Sequence, residues 1–344
     1  MKVGVLHESR DGETRVALVP DLVGKYVDNG HEVWVQAGAG VTSGHDDSSY
    51  AEAGATVVAD AAALLAAAEV VLRVQMPSLE EVEAMTEGSA LLAHLWPLQE
   101  HELVAKLADR KITAFSMDMV PRITRAQSMD SLSAMSTVSG YKAVLLAATE
   151  LGKFCPMLMT AAGTIRPSRV LILGAGVAGL TAIGTARRLG AVVEAFDVRP
   201  AVKEQVQSLG AKFVEFSVED AQDKGGYAKA LDEDQQAKQL ELIAKHIASA
   251  DIVITTALIP GRKAPVLVTD AMLQSMQNGS VVIDLAAIQG GNCEGAVADQ
   301  KVVKHGVTID GPTNLPSTVP VHASQMYAKV ISNLLFELCI FLIL

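Results

Sequence analysis

The stretch from Arg169 to Gly179, Arg-Val-Leu-Ile-Leu-Gly-Ala-Gly-Val-Ala-Gly, constrains the fold of this chain more than any other. Four apolar residues run into Gly-x-Gly-x-x-Gly, and a helix-like run from Leu180 to Leu189 follows. That is the order of a buried parallel strand, a tight turn and a helix start. Gly174 permits the turn, Gly176 lets the backbone approach a pyrophosphate, and Gly179 lets the helix pack on the strand. The first N–H groups of the helix and its positive end then face the phosphates. A second strand, Ala191–Phe196, ends in Asp197, about 20 residues on, where an acid meets the adenosine ribose hydroxyls of a bound dinucleotide. The glycine triplet alone is a weak signal. Strand, glycines, helix, strand and acid in order form a dinucleotide-binding signature.

The rest of the chain agrees with an α/β fold. Its 344 residues suggest two domains with sizeable cores. Half are apolar and 4% aromatic, the balance that buried parallel strands and their covering helices require. A net charge of −11 argues against a basic surface for nucleic acid. Cys155, Cys293 and Cys339 are far apart, with no disulfide framework and no zinc spacing, which points to a reducing compartment. The N-terminus reads as a first strand, not a signal peptide. No apolar run reaches the ~18 residues of a membrane span, and the terminal Leu338–Leu344 is too short as it stands. It implies either an apolar helix packed on a partner or a polypeptide that continues.

Strand readings at Val3–Leu6, Glu32–Gln36, Val70–Val74, Ala90–Leu95 and Thr113–Met117 alternate with helical runs at Asp21–Asn29, Tyr50–Ala55, Ala59–Ala68 and Glu100–Asp109. This pattern predicts a doubly wound parallel sheet over residues 1–125. A second glycine-rich segment, Ala37–Gly40, lacks both the completed triplet and a following apolar helix. Thr137–Leu151 reads as a helix crossing between domains. The nucleotide domain, 126–309, adds strands at Lys212–Phe216, Asp251–Thr256, Ser280–Leu285 and Val307–Ile309. Met326–Leu344 reads as a helix returning, with about 310–344, to the first domain. Between two of these strands lies a long polar segment, Glu219–Lys229, hinged on glycine where short connections are the norm.

The densest polar stretch runs from Arg122 to Ser133. If it is helical from Ala126, then Gln127, Asp130 and Ser133 share one face. An amide, a carboxylate and a hydroxyl there suit a carboxamide ring. The alternative is a plain helix start, in which Thr124 and Gln127 form a capping box. His31, His45, His101, His246, His305 and His322 show no metal-ligand spacing. The twelve methionines read as core filler, and Asp232–Asp234 as a solvated face.

Six blocks stand in order: Arg-Ala-Gln-Ser-Met-Asp (125–130), Gly-Ala-Gly-Val-Ala-Gly-Leu (174–180), Lys203–Val206, Gly225–Lys229, Thr255–Gly261 and Gly290–Cys293. Together they resemble the NAD(H)-binding part of the proton-translocating NAD(P) transhydrogenase family, which is related in fold to alanine dehydrogenase. The resemblance implies two Rossmann-like parallel-sheet domains. It implies that Arg122, Gln127, Asp130 and Ser133 surround the nicotinamide, with Ile123, Thr124, Ser128 and Met129 beside them on the cofactor. Gly174, Ala175, Gly176, Val177 and Gly179 then lie under the pyrophosphate. Asp197, Val198 and Arg199 hold the adenosine. Gly226 and Tyr227 belong to a mobile loop that closes over the cofactor, and Gln239 and Leu258 complete the pocket. It further implies a homodimer, a partner subunit carrying NADP(H), a membrane part carrying protons, and a place on the cytoplasmic face of a bacterial inner membrane or the matrix face of a mitochondrial one.

The two relatives make different chemical demands. Amino-acid oxidation needs a proton-transfer group and a carboxylate anchor. By the resemblance, alanine dehydrogenases use a Lys and a His, where this chain has Gln75 and Trp96, which do no acid–base work. Arg15 is retained. Hydride passing between two nicotinamides needs only rings held about 3–3.5 Å apart. The readings left open are a transhydrogenase component, a stand-alone dehydrogenase for a small amino or oxo acid, and a non-catalytic NAD-binding module.

Overall fold

The structure is a computed structural model that describes residues 1–216, 232–258 and 262–342, with backbone alone for 340–342. These residues form two compact units, Met1–Met135 with Pro316–Leu344, and Ser136–Leu315.

In the first unit the described strands are β1 (Lys2–Val5), β2 (Glu32–Gln36), β3 (Thr56–Val58), β4 (Val70–Leu72), β5 (Ala90–Ala93) and β6 (Thr113–Ser116). They pair in the order β3-β2-β1-β4-β5-β6, all parallel. β4 is buried along its whole length. Such a strand needs cover on both faces, which is why it reads as an unbroken apolar run. Leu64, Leu65, Met85, Leu103 and Leu107, from the connecting helices, supply that cover on one side of the sheet with Val71 and Leu91. The terminal helix Pro320–Leu342 belongs to this unit. Tyr327 donates its hydroxyl to the Arg73 carbonyl at 2.8 Å, and Ser324 accepts from the Val16 N–H at 3.0 Å. Tyr26 donates to Ser332 at 2.8 Å. The last helix is therefore tied to β4 and to the segment that follows β1.

The second unit opens with a two-stranded antiparallel hairpin, β7 (Leu158–Thr160) and β8 (Gly163–Ile165). Its main sheet contains β9 (Arg169–Leu173), β10 (Val192–Phe196), β11 (Lys212–Val214), β12 (Ile252–Thr255), β13 (Val281–Asp284), β14 (Lys301–Lys304) and β15 (Val307–Asp310). The order is β11-β10-β9-β12-β13-β15-β14. The strands run parallel except β14, which pairs antiparallel with β15. Both sheets are thus doubly wound. The order reverses between β1 and β4 in one and between β9 and β12 in the other, and the loops after those strands diverge to leave a crevice.

Glycine marks a close approach in the long helix Ser131–Glu150. A Cβ on Gly140 would come within 2.1 Å of the Ala178 carbonyl oxygen, on the helix that follows β9. Gly24 lies in the helix Pro20–Asp28 with open space around it. Gly140→Ala is expected to destabilise the protein by about 2–4 kcal/mol, because backbone must move. Gly24→Ala is expected to stabilise it by up to about 1 kcal/mol, because only helix propensity changes. Chemical denaturation of the two variants beside the parent checks both signs.

Candidate functional site

The loop after β9 is built by its glycines. Gly174 has φ +105°, and a Cβ there would meet the Thr256 hydroxyl at 2.5 Å. A Cβ on Gly179 would lie 1.8 Å from the Gly174 carbonyl oxygen. Packing therefore demands both glycines. Gly176 is different: among the described residues, only the Arg199 Nη2 lies within 4 Å of its Cβ position, at 3.9 Å. Among those residues the space beside Gly176 is open at the start of the helix Val177–Arg188. The helix carries Arg187 and Arg188 in its last turn, which suits the negative end of its dipole. Its first N–H groups have no partner within the helix, so the positive end meets the open space. A helix N-terminus beside a glycine of this kind suits an anion, and a side chain at position 176 would occupy that space.

Asp197, one residue past β10, shapes the same loop. It is 5% exposed. Its Oδ2 accepts from the Ala175 N–H at 2.7 Å and from Arg199 Nη2 at 2.7 Å. Its Oδ1 accepts from the Arg199 backbone N–H and Nε, each at 2.9 Å. Val198 between them is buried. Gln239 is buried on the helix Glu233–Ile247, and Leu258 is partly exposed beyond β12. Gly226 and Tyr227 lie outside the described residues, as do the neighbouring positions 217–231.

Two further side chains hold the loop after β12. Asn292 is fully buried. It accepts from the Ala257 N–H at 3.0 Å and donates to the Ala257 and Pro265 carbonyls at 2.9 and 2.8 Å. Asp284, also fully buried, accepts from the Thr255 hydroxyl and from the Ala286 and Cys293 N–H groups, each at 2.9 Å. The signal that could have found Asp284 is an acid closing an apolar strand, much as Asp197 follows β10.

In the first unit, the chain from Ala126 is not one continuous helix. Thr124–Met129 is a 3₁₀ helix, Asp130 has φ −77° and ψ 92°, and the α-helix starts at Ser131. The cause is Asp130 itself. Its carboxylate accepts from the Ser133 N–H at 2.8 Å and the Ser133 hydroxyl at 2.6 Å, which holds the backbone extended at a helix start. The shared face therefore does not form as expected. Asp130 and Ser133 meet, and the Arg122 Nε lies 3.7 Å from the Asp130 carboxylate. Gln127 sits on the 3₁₀ turn, exposed, beside the exposed Thr124 and Ser128. The capping box of Thr124 and Gln127 is also absent: Ile123 occupies the cap position of the 3₁₀ helix and makes no side-chain cap. Ile123 is exposed and Met129 buried. Asn333 donates to the Ser128 carbonyl at 2.9 Å, so the terminal helix supports this turn.

The crevice end of the first sheet is closed by its own side chains. The Glu13 carboxylate accepts from Arg15 Nε at 2.7 Å and Arg15 Nη2 at 2.6 Å. It also accepts from Gln75 Nε2 at 2.9 Å and the Ser317 hydroxyl at 2.7 Å. Burial would raise this carboxyl, but the hydrogen bonds and charge of Arg15, with Gln75 and Ser317, bring it down to about 2. Arg15 is thereby committed, with its side chain 3% exposed. Nearby, Glu8 accepts from the Val74 and Gln75 N–H groups at 2.7 and 3.1 Å, and Arg73 is fully buried against it at 3.5 Å. Trp96 adopts a left-handed backbone, φ 49°, and stacks on His94. Asp118 steadies that turn by accepting from the Leu95 and Trp96 N–H groups at 2.8 and 3.2 Å.

His94 is buried, with Nδ1 2.9 Å from the Val74 carbonyl and Nε2 2.9 Å from the Ser131 hydroxyl. Burial, helped by the Arg15 charge, pushes the imidazole down to about 4, against the opposing charges of Asp118 and Glu13. It is neutral near pH 7. The Val74 carbonyl can only accept, so Nδ1 carries the proton, and the single Ser131 hydroxyl proton lies between Nε2 and the Met117 carbonyl, 2.8 Å away. The unfolded imidazole titrates near 6.5 and takes the proton first, so stability falls as pH falls from about 6.5 to about 4. The full effect is on the order of 3 kcal/mol. Glu13 titrates lower, between its ordinary 4.5 and about 2. A loss of melting temperature between pH 6.5 and 4.5 that His94→Gln flattens is the expected result, measured by calorimetry across that range.

Among the described residues no group of three or more His, Cys, Asp or Glu is placed to hold a metal ion, and no helix is long and apolar enough to cross a membrane. Comparison with known proteins agrees with the geometry. Residues 4–139 match the family model "Alanine dehydrogenase/PNT, N-terminal domain", and residues 143–340 match "Alanine dehydrogenase/PNT, C-terminal domain". The chain is 49% identical to the first part of the NAD(P) transhydrogenase subunit alpha of Rhodospirillum rubrum, over 97% of this chain and 89% of that one. The crystal structure of a transhydrogenase from Sinorhizobium meliloti superposes with TM-score 0.89 at 45% identity, covering 98% of this chain and 94% of the other. An L-alanine dehydrogenase structure superposes with TM-score 0.82 at 29% identity, covering 97% and 89%. The chain belongs to the alanine dehydrogenase/PNT family, and its close relatives are alpha subunits of NAD(P) transhydrogenase.

Proposed function

We propose that this chain is the NAD(H)-binding component of a proton-translocating NAD(P) transhydrogenase. It passes hydride between NAD(H) on this chain and NADP(H) on a partner subunit. The observation that carries this choice over an amino-acid dehydrogenase is the capture of Arg15 and Gln75 by Glu13. A substrate carboxylate has no free guanidinium there, and an amide at position 75 moves no proton. The dehydrogenase reading keeps its support in the likeness to L-alanine dehydrogenase.

The residues present fit the nucleotide. The nicotinamide supplies the hydride or takes it up. The open cradle at Gly174, Ala175, Gly176, Val177 and Gly179 receives the pyrophosphate, and Asp197, Val198 and Arg199 bound the adenosine end. Gln239 and Leu258 complete that pocket. On the first unit, Arg122, Gln127, Asp130 and Ser133 orient the carboxamide, with Ile123, Thr124, Ser128 and Met129 framing it. Asp130 is already fixed by Ser133, so it presents a set geometry at no further ordering cost. The exposure of Gln127 and Ile123 leaves room for a partner to bring its own nicotinamide. Proton conduction belongs to membrane-spanning segments outside the described residues, and the chain works at the cytoplasmic or matrix face of that membrane.

A homodimer is part of this reading. Among the described residues the hairpin of β7 and β8 pairs with no other strand, and an isolated hairpin is marginal in water. It exposes Met157, Met159 and Ile165, with Phe154 exposed just before it. A second copy covering these residues accounts for both facts. Sedimentation is expected to give a dimer, and Met159→Glu with Ile165→Glu a monomer. A dimer that survives both changes places the interface elsewhere.

Turnover tests the whole reading. The isolated chain is expected to form no NADH from alanine. Mixed with an NADP(H)-binding transhydrogenase subunit, it is expected to support reduction of an NAD analogue by NADPH. Gln127→Asn and Asp130→Asn are expected to lower that rate about tenfold or more, the cost of misplacing a reactant. Alanine-dependent NADH formation overturns the assignment.

A further inference from the structure

We propose that Asn333 and Glu337, on the terminal helix, are positioning residues that hold the turn Thr124–Met129 in place for hydride transfer. This role rests on the transhydrogenase reading, which does not itself use either residue. The turn has little of its own to fix it. It is a 3₁₀ helix with no side-chain cap at Ile123, and 3₁₀ bonds have poorer geometry than those of an α-helix. Ala126 and Met129 are its buried residues, while Arg125, Gln127 and Ser128 are exposed. Two contacts reach it from the helix Pro320–Leu342. Asn333 Nδ2 donates to the Ser128 carbonyl at 2.9 Å. Glu337 Oε1 accepts from Arg125 Nε at 3.0 Å and from Arg125 Nη2 at 2.5 Å. Arg125 and Ser128 flank Gln127 in the chain, so the two tethers bracket the amide that the proposed site turns to the nicotinamide.

The helix can serve as an anchor because another side of it is fixed. Asn333 and Glu337 are four residues apart and share one face. They stand roughly 110–150° round the helix from the face that carries Ser324, Tyr327 and Ile331. Those three side chains are fully buried. Ser324 accepts from the Val16 N–H and Tyr327 donates to the Arg73 carbonyl, which sets the register of the helix on the first sheet. The sheet thus places the helix, and the helix places the turn. The Arg125 and Glu337 side chains are 66% and 31% exposed. A pair this open to water adds little to overall stability. Its effect is local, on a short turn with weak bonds of its own, and orientation is what the hydride step demands. Losing a tether therefore costs placement before it costs folding.

The test compares Asn333→Ala, Glu337→Gln, the two together, Glu337→Arg, and Glu337→Arg with Arg125→Glu. Turnover is reduction of an NAD analogue by NADPH in a mixture with an NADP(H)-binding transhydrogenase subunit. Each single loss is expected to lower kcat about threefold and the double loss about tenfold. KM for the analogue, 5′-AMP affinity by calorimetry and melting temperature are expected to stay near the parent's. Backbone hydrogen exchange is expected to quicken over residues 122–130 and to stay parental elsewhere in the first unit. Reversing the pair is expected to recover most of the rate that Glu337→Arg alone loses. A double variant with parental kcat, or with parental exchange in the turn, overturns the inference. So does a fall in kcat matched by an equal fall in 5′-AMP affinity or by a large drop in melting temperature, since the tethers are then general supports of the fold. A parent mixture that transfers no hydride instead defeats the transhydrogenase reading, whereas unchanged exchange in the turn defeats the tethers alone.

Discussion

Carboxylates at or just past the strand ends collect the N–H groups of neighbouring loops, and the crevice ends of both sheets depend on them. Glu8, after β1, holds the Val74 and Gln75 N–H groups after β4. Asp118, after β6, holds the turn after β5. Asp197, after β10, holds the loop after β9. Asp284, ending β13, holds Thr255 at the end of β12 and the Cys293 N–H. In each case a carboxylate on one strand stitches the loop of another. Parallel strands leave such loops without hairpin partners, so their buried N–H groups need acceptors from elsewhere. Charge-assisted bonds to backbone N–H groups are the strong kind.

The same device has opposite outcomes in the two units. In the first, Glu13, Arg15, Gln75 and Ser317 satisfy one another. In the second, Asp197 braces a loop whose central glycine stays open beside a helix N-terminus. One switch point is filled and the other is a cradle. Fold likeness to alanine dehydrogenase does not separate these outcomes, since a shared sheet order is compatible with either chemistry.

The cradle was legible in the sequence because steric necessity leaves glycine no substitute. Gly174 has a positive φ and Gly179 meets a carbonyl, so the spacing of the triplet encodes the turn. The parallel sheets were legible from runs such as Val-Val-Leu at 70–72, buried on both faces. Less showed where the pattern is short or two-sided. β3 has three residues, and β8 is exposed along its length, so neither carries a periodicity. β14 runs antiparallel on an edge, with Lys at both ends, and alternation of strands and helices does not foresee it. The break at Asp130 was hidden because the polar spacing there fits a helix, while the side chain satisfies Ser133 instead. The crowding of Asp197 by Arg199 was hidden because position shows which residue types meet, not how many bonds each has left.

A count of bonds also bears on how such a site departs from a dehydrogenase. Oxidising a small acid demands a base, an anchor and a pocket together. Passing hydride between two nicotinamides demands orientation alone, so the loss of the base leaves the second task intact. Gln75 keeps a hydrogen bond to Glu13 through an uncharged amide, so the buried network is satisfied without a cation at that position. A lysine at that position would place a second cation beside Arg15, and its burial would carry a desolvation cost that the amide avoids. The polar core of the first unit then contributes to its stability. A chain built this way gains nothing from excluding water around an acid–base pair. In the proposed role, its task is to hold one nicotinamide still and leave the face of that ring exposed for a partner to approach.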